Sequence, residues 1–550
     1  MLSRGLKDGE SPESIGPLYL IQFANHHVNF RWAEFQAAAE YHDVKYCFSS
    51  TAAMMNDLSI TDEVTNDALD TERVFASVHL ANDDVARKMA ERAICIRSVW
   101  QHWASANTLE SLLKNLSEIE SVRKLWKPYQ KPEVSWKATV AAYMHTLTHK
   151  ERLNRIEAFA DVLAFKGPIN LQTPMVNWCY SEEWTEPNNV DQWEGYDGYE
   201  KGPSGQNQRL IAVHTGRKIC DGIARDLIGI MDVKKRAYIG NTTMESSMSL
   251  VQASMALAGP GKLFYDPFAG TGSLLLAAAA YGAHVLASDI DARMMRGKNS
   301  AKGSLGILRS AKQYGTEHLF IDSLCFDVTQ HPLRKGGLFD AIVADPPYGI
   351  RAGAKKLGKR RGEKMRDEPF MMPDGQYSHE RPDYHPPSKP YALDELLCDL
   401  MEFSAKMLVP KGRLVFWMPT MTDVECDDES AKGGVTTSQI DLQLPPTKHF
   451  KLIAHSLQDF TNWGRRLITL EKIDAKEEDL VEKHLVLPAA PINHVQSARD
   501  GQELANTNEQ QKQGRAIDDL SVFRDQYFRT LGRGRREAKE AQKAATQNVP

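Results

Sequence analysis

Asp266-Pro267-Phe268-Ala269-Gly270-Thr271-Gly272-Ser273 is the stretch whose reading decides the fold. It follows the apolar run Leu263-Phe264-Tyr265 and precedes an apolar, alanine-rich segment from Leu274 to Ala280. The pattern reads as strand, glycine turn, helix. Glycine lets the backbone turn tightly and lets a ligand lie against it. The turn has no Gly-Lys-Ser/Thr ending, so it is not a phosphate loop, and it lacks the spacing of a dinucleotide fingerprint. Beyond it, strand-like runs alternate with helical segments: HVLASDID (284–291), FDAIVADPP (339–347), LLCDLMEFSAKML (396–408) and RLVFWMP (413–419). This alternation predicts an α/β domain with a parallel, doubly wound sheet over about 209–475.

Two acidic residues follow later strands. Asp289 ends the strand after the glycine turn, where a carboxylate can accept hydrogen bonds from ribose hydroxyls. Asp327 follows a further strand and is placed to take an adenine amino group. For both, a helix cap is the bland alternative. The pattern D-x-F-x-G-x-G resembles motif I of Rossmann-like methyltransferases, whose glycines face the methionine part of S-adenosyl-L-methionine. The resemblance implies a cofactor set of Asp266, Phe268, Gly270, Gly272, Ser273, Asp289, Ile290, Asp327 and Val328.

Asp345-Pro346-Pro347-Tyr348 follows the apolar strand Phe339 to Ala344 in the same expected sheet. An exocyclic amine on a base is a poor nucleophile, because its lone pair is delocalised into the ring. A carboxylate and a backbone carbonyl can accept its N–H hydrogens and aim the nitrogen. The two prolines stiffen the turn. Tyr348 offers a face on which a splayed base can stack. Transfer is expected to be direct, with Asp345, Pro346, Pro347 and Tyr348 as the catalytic set. None of the seven cysteines lies in or beside this motif.

Longer stretches narrow the choice: KKRAYIGNTTMESSMSL (234–250), DPFAGTGSLL (266–275), GAHVLASDID (282–291) and DPPYGIRAGAKK (345–356). Together they look like the eukaryotic and archaeal tRNA guanosine-N2 methyltransferases acting at tRNA position 10. RIEAFADVLAFKGPINLQTP (155–174) resembles that family's THUMP domain. NWGRRLITLEK (462–472) and VFRDQYF (522–528) resemble its C-terminal elements. The resemblance implies a ferredoxin-like N-terminal domain and a THUMP domain for gripping tRNA, ahead of the catalytic domain. It also implies a small zinc-binding activator subunit as partner. The family's Thr-Ser-Met-Asp motif, which helps enclose the cofactor, stands here as Thr242-Thr243-Met244-Glu245, giving Thr243 and Met244 as further cofactor residues. A ribosomal RNA guanine-N2 enzyme and a non-catalytic RNA scaffold are the competing readings. A DNA enzyme fits less well, since two domains precede the glycine turn.

The organisation expected along the 550 residues is therefore a disordered 1–16, α+β domains at 17–115 and 116–185, a linker at 186–208, the catalytic domain at 209–475 and a partly disordered tail at 476–550. Within the second of these, Leu153, Ile156 and Phe159 are expected to share one helix face. A net charge of −5 excludes a wholly basic nucleic-acid binder, so any RNA surface is a local patch. The run 351–364 holds seven Lys/Arg and one Glu and directly follows the catalytic motif. Arg351, Lys355, Lys356, Lys359, Arg360 and Arg361 are accordingly expected to contact RNA phosphates. The scattered, odd cysteine count fits reduced thiols and a cytoplasmic setting. No metal site and no membrane segment are expected.

Overall fold

The computed structural model describes residues 3–6, 10–49, 73–185, 200–201, 207–297, 306–334, 336–347, 354–358, 369–381, 387–420, 444, 448–460 and 464–474. The chain divides into two compact units, Met1–Ile230 and Met231–Pro550.

The first unit is built on one sheet. Its strands are β1 (Ser3–Arg4), β2 (Leu18–Phe23), β3 (Tyr46–Phe48), β4 (Phe75–His79), β5 (Ile96–Ala106), β6 (Trp136–Tyr143), β7 (Val176–Trp184) and β10 (Leu210–Asp221), in the order β1-β3-β4-β2-β5-β10-β7-β6. A short hairpin of β8 (Glu200–Lys201) and β9 (Asn207–Gln208) precedes β10. The helix Asp83–Arg92 is capped by Asn82, whose side chain accepts from the Asp84 and Val85 amides, both at 3.0 Å. The helix His149–Ala158 opens with a capping box between Thr148 and Glu151.

Four expectations do not hold in this unit. Residues 210–221 belong to this sheet and not to the catalytic one, because β10 pairs antiparallel with β5 on one side and β7 on the other. The same strand joins the segments expected as separate α+β domains, so their strands share one sheet. Ser3–Arg4 is not disordered: it pairs with Tyr46 and Cys47, and Arg4 donates to the Val44 carbonyl at 2.9 Å and Asp43 at 2.8 Å. On the amphipathic helix, Phe159 is buried and Ile156 packs on the core, but Leu153 is 44% exposed.

The second unit holds a seven-stranded sheet. Its strands are β11 (Leu263–Asp266), β12 (His284–Asp289), β13 (Phe320–Cys325), β14 (Phe339–Ala344), β17 (Leu408–Thr420), β18 (Phe450–Asp459) and β19 (Gly464–Lys472). Their order is β13-β12-β11-β14-β17-β19-β18. The pairs from β13 through β17 are parallel, and β19 is antiparallel to both β17 and β18. The sheet is therefore doubly wound with a closing hairpin. The helix Ser273–Ala280 is apolar all round because all but its last residue are buried. The chain runs outward from β11 to β12 and β13, then returns to place β14 on the other side of β11. That reversal opens a crevice at the carboxyl ends of β11 and β14, where ligands of such sheets bind. A small hairpin, β15 (Lys355–Leu357) with β16 (Ser388–Pro390), lies between β14 and the helix Leu393–Met407. Among the described residues, no helix is long and apolar enough to cross a membrane.

Candidate active site

The glycine turn is held from three sides. Asp266, 1% exposed, accepts from the Phe268 amide at 2.9 Å, which bends the chain out of β11. Asp289 accepts from the Gly270 amide at 2.9 Å with one oxygen and from the Asp291 amide at 2.9 Å with the other. Gly270 and Gly272 hold φ of +51° and +77°, values that favour glycine. A Cβ on Gly270 would meet Thr242 Oγ1 only at 3.8 Å, so this face of the turn is open. A Cβ on Gly272 would stand 2.7 Å from Ile307 Cγ2, so that face is packed.

The third side is the segment Arg236 to Glu245. Thr243 Oγ1 lies 3.0 Å from Thr271 Oγ1, and the Met244 amide donates to Ser273 Oγ at 3.2 Å. Arg236, 8% exposed, donates to Ser273 Oγ at 2.8 Å and to the Thr271 carbonyl. Burial pushes its pKa down to about 10. The sequence reading assigned Arg236 no role. It is the last of three consecutive basic residues, Lys234-Lys235-Arg236, that open the quoted stretch 234–250.

The carboxylates feel one another. Burial above all pushes Asp266 well above the usual range; the Phe268 amide opposes this, and the charges of Asp289 and Asp345 add to it. Burial also pushes Asp289 up, against the Asp291 and Gly270 amides.

Asp345 and Pro346 leave the carboxyl end of β14, with Pro346 buried and Pro347 half-buried. The Ala344 carbonyl just before them accepts from Gln252 Nε2 at 3.2 Å. Arg465 Nη1 on β19 stands 3.9 Å from Asp345 Oδ2. Gln252, Trp417, Gln458 and Arg465 were missed in the sequence, because their placement depends on pairing between distant strands. Tyr348, Arg351, Lys359, Arg360 and Arg361 lie outside the described residues.

Other expected site residues serve different ends. Asp327 is the helix cap: its Oδ1 accepts from the Thr329 amide at 2.8 Å, and its Oδ2 accepts from the Leu357 amide at 2.5 Å. Both oxygens are thus engaged within the chain, as those of Asp289 are, and each carboxylate keeps further acceptor sites. Val328 belongs to the core beneath it. Ile290 is half-buried, and its carbonyl faces Cys325 Sγ at 3.6 Å. Phe268 packs against Ala354, Tyr391 and Leu396, bracing the turn from the side of the hairpin. Lys356 pairs with Glu395 and lies 4.8 Å from the centre of the Tyr391 ring, so its charge is spent inside the fold. Lys355 is exposed.

The residues present fit S-adenosylmethionine. The open face of Gly270 leaves room for a ligand against the backbone, and the Asp289 carboxylate is fixed at the end of the neighbouring strand. With Asp345-Pro346-Pro347 across the crevice, the fold and site define an S-adenosylmethionine-dependent methyltransferase of the Rossmann-like class.

Comparison with known proteins agrees. The family described as the Tmrp11 THUMP N-terminal domain matches residues 17–195, and the RMKL-like methyltransferase domain matches 234–365. The tRNA (guanine(10)-N(2))-methyltransferase of Saccharomyces cerevisiae is 33% identical over 450 residues, covering 82% of this chain and 92% of that protein. The enzyme of that name from Schizosaccharomyces pombe is 30% identical, covering 85% and 92%. The human counterpart is 31% identical, covering 75% and 82%. A solved structure of TrmN from Thermus thermophilus aligns with a TM-score of 0.37 at 15% identity, over 83% of this chain and 100% of that one. The chain belongs to the tRNA (guanine(10)-N(2))-methyltransferase family.

Proposed function

We propose that this chain is the catalytic subunit that methylates the exocyclic N2 of guanosine at position 10 of tRNA. The observation that carries this reading is the placement of Asp345-Pro346 at the carboxyl end of β14, beside the strand that leads into the glycine turn. When bound, S-adenosylmethionine supplies an electrophilic methyl group on a positively charged sulfur. Asp345 accepts an N–H hydrogen of the guanine amine and takes the proton that nitrogen must shed once methylated. The backbone carbonyl at the Asp345-Pro346 turn holds the second N–H, and Tyr348 stacks on the extruded base. Asp289 holds the ribose and Gly270 lets the methionine part lie close. Thr243 and Met244 fix the segment that encloses them.

The substrate assignment is supported by the relatives' shared name and by the THUMP match. The activator subunit rests on the family resemblance; among the described residues β13 is an edge strand of the sheet, with Ile321 55% exposed. A cytoplasmic location accords with that role. The test is transfer from labelled S-adenosylmethionine to unmodified tRNA, with and without activator, followed by nucleoside analysis. N2-methylguanosine that disappears when guanosine 10 is replaced by adenosine supports the reading. Label in another nucleoside, or none with either preparation, refutes it.

A further inference from the structure

Arg465 Nη1 stands 3.9 Å from Asp345 Oδ2, closer than a diffuse surface charge and longer than a hydrogen bond. Its place is set by neutral groups. Its Nε donates to Gln458 Oε1 at 2.8 Å, and its guanidinium carbon lies 4.1 Å from the centre of the Trp417 ring. Trp417 is itself fixed, since its Nε1 donates to Gln252 Oε1 at 2.8 Å. Gln252 is fully buried, and its Nε2 donates to the carbonyls of Val415 at 2.8 Å and Ala344 at 3.2 Å. Ala344 directly precedes Asp345. The result is a closed ring of contacts: Ala344, Gln252, Trp417, Arg465, Asp345.

We propose that Arg465 is a positioning residue for the Asp345 carboxylate, held by Trp417 and Gln458 so that one Asp345 oxygen faces the cation and the other faces the incoming amine. The inference rests on the role given to Asp345 above. The neighbouring charges create an electrostatic need for a cation. Asp266 on β11 and Asp289 on β12 bring negative charge to the same end of the sheet, and Asp345 itself is among the charges felt by Asp266. Glu245, at the start of the helix Ser246–Met255, accepts from Gln458 Nε2 at 3.2 Å and brings a further negative charge nearby. A cation beside Asp345 offsets this repulsion and keeps the carboxylate ionised and oriented. Glu245 also gains a reason. It makes no cap bond to its own helix, and it reaches Gln458 instead.

The test compares Arg465→Met, Arg465→Lys and Gln458→Ala in the full chain, with activator. Methionine keeps an apolar stem on Trp417 and removes the charge. The expected result for Arg465→Met is a kcat lower by about tenfold or more, with KM for both substrates within about threefold. The acid limb of its kcat profile moves to higher pH, because Asp345 loses the charge that favours ionisation. Arg465→Lys restores both the rate and the limb in large part. Wild-type kcat and an unmoved limb in Arg465→Met overturn the proposal; so does a raised KM for tRNA with kcat unchanged, which would make Arg465 an RNA contact. Should Arg465→Met lose S-adenosylmethionine binding through misfolding, Gln458→Ala asks the same question by loosening the guanidinium, with Glu245→Gln as the control for the Glu245 contact it also removes. A kcat reduced about threefold to tenfold with the same limb shift supports the proposal, and an unchanged profile overturns it. A wild-type chain that forms no N2-methylguanosine fails the functional reading instead, before any variant is compared.

Discussion

Asp289 and Gly270 are tied to each other: a carboxylate oxygen of Asp289 accepts the Gly270 amide at 2.9 Å. The residue proposed as the ribose acceptor therefore also fixes the glycine turn. In the proposed function, one carboxylate would serve two halves of one cofactor.

Replacing Asp289 should expose that double role. Asp289→Ala removes the ribose acceptor and releases Gly270, and S-adenosylmethionine binding is expected to weaken by about hundredfold. Asp289→Asn keeps an acceptor oxygen but points an amide group at one backbone N–H, and about tenfold is expected. Calorimetric titration of the cofactor measures both. Equal, small losses would mean that Asp289 is only a turn-forming residue.

The two turn glycines should fail differently. Gly272→Ala meets both a positive φ and a Cβ contact of 2.7 Å with Ile307, so it should destabilise the unit by about 2 kcal/mol or more. Ile307→Ala beside it removes the clashing γ and δ carbons and should recover only the packing share. Gly270→Ala meets only ordinary contacts, at 3.8 and 3.9 Å, so its stability cost should be about 1–2 kcal/mol from φ alone. Cofactor affinity should nonetheless collapse, because the new methyl occupies the ligand's side. Thermal melts and titrations on the same samples separate the cases.

The sequence showed this half of the site well because it is local. A strand, two glycines and an alanine helix occupy consecutive positions, and β14 matches the expected run Phe339 to Ala344. What it hid is long-range. Leu210–Asp221 looks like any apolar strand, and only its pairing with β5 and β7 places it in the N-terminal sheet. The same holds for Arg465, which reaches Asp345 only because β17 lies between β14 and β19. Asp327 shows a third limit: a carboxylate after a strand looks alike whether it awaits a ligand or caps a turn. The Leu357 amide that engages it comes from a hairpin far along the chain.

The basic run should divide between its two described lysines. Lys355 is exposed, and Lys355→Ala should weaken tRNA binding while reducing the slope of log affinity against log salt by about 1. Lys356 is already paired with Glu395 against Tyr391. Lys356→Ala should therefore leave the salt slope unchanged and lower the melting temperature slightly. Filter binding across salt concentrations decides. A slope lost with Lys356 and kept with Lys355 would reverse the assignment.

The first unit should lose stability on mild acidification. His102 Nε2 lies 2.7 Å from Ser105 Oγ, Ser105 Oγ lies 2.8 Å from His214 Nδ1, and His214 Nε2 lies 3.3 Å from Glu183. Arg73 pairs with the same Glu183 oxygen at 2.5 Å. A consistent set of donors runs from His102 N–H to the Ser105 oxygen, from the Ser105 hydroxyl to His214 Nδ1, and from His214 N–H to Glu183, with both rings neutral. Burial, aided by the charges of His214 and His79, pushes His102 down to about 3, and burial lowers His214 too. Burial works against ionised Glu183, yet His214 and Arg73 hold it down to about 2. A histidine lowered in the fold binds its proton first in the unfolded chain. Stability is therefore intact above an unfolded pKa of about 6.5 and falls with pH below it, by about 1.4 kcal/mol per unit for each such histidine. Glu183 contributes its stability above its unfolded range, near 4.3, and loses it only as pH falls toward about 2, so it is constant in the histidine window. Urea midpoints between pH 7.5 and 5.5 should drop in the wild type. His102→Phe should flatten the drop by about one proton. A midpoint independent of pH across that window, or a slope unchanged by His102→Phe, would mean that the rings are already charged or reached by water in the folded chain.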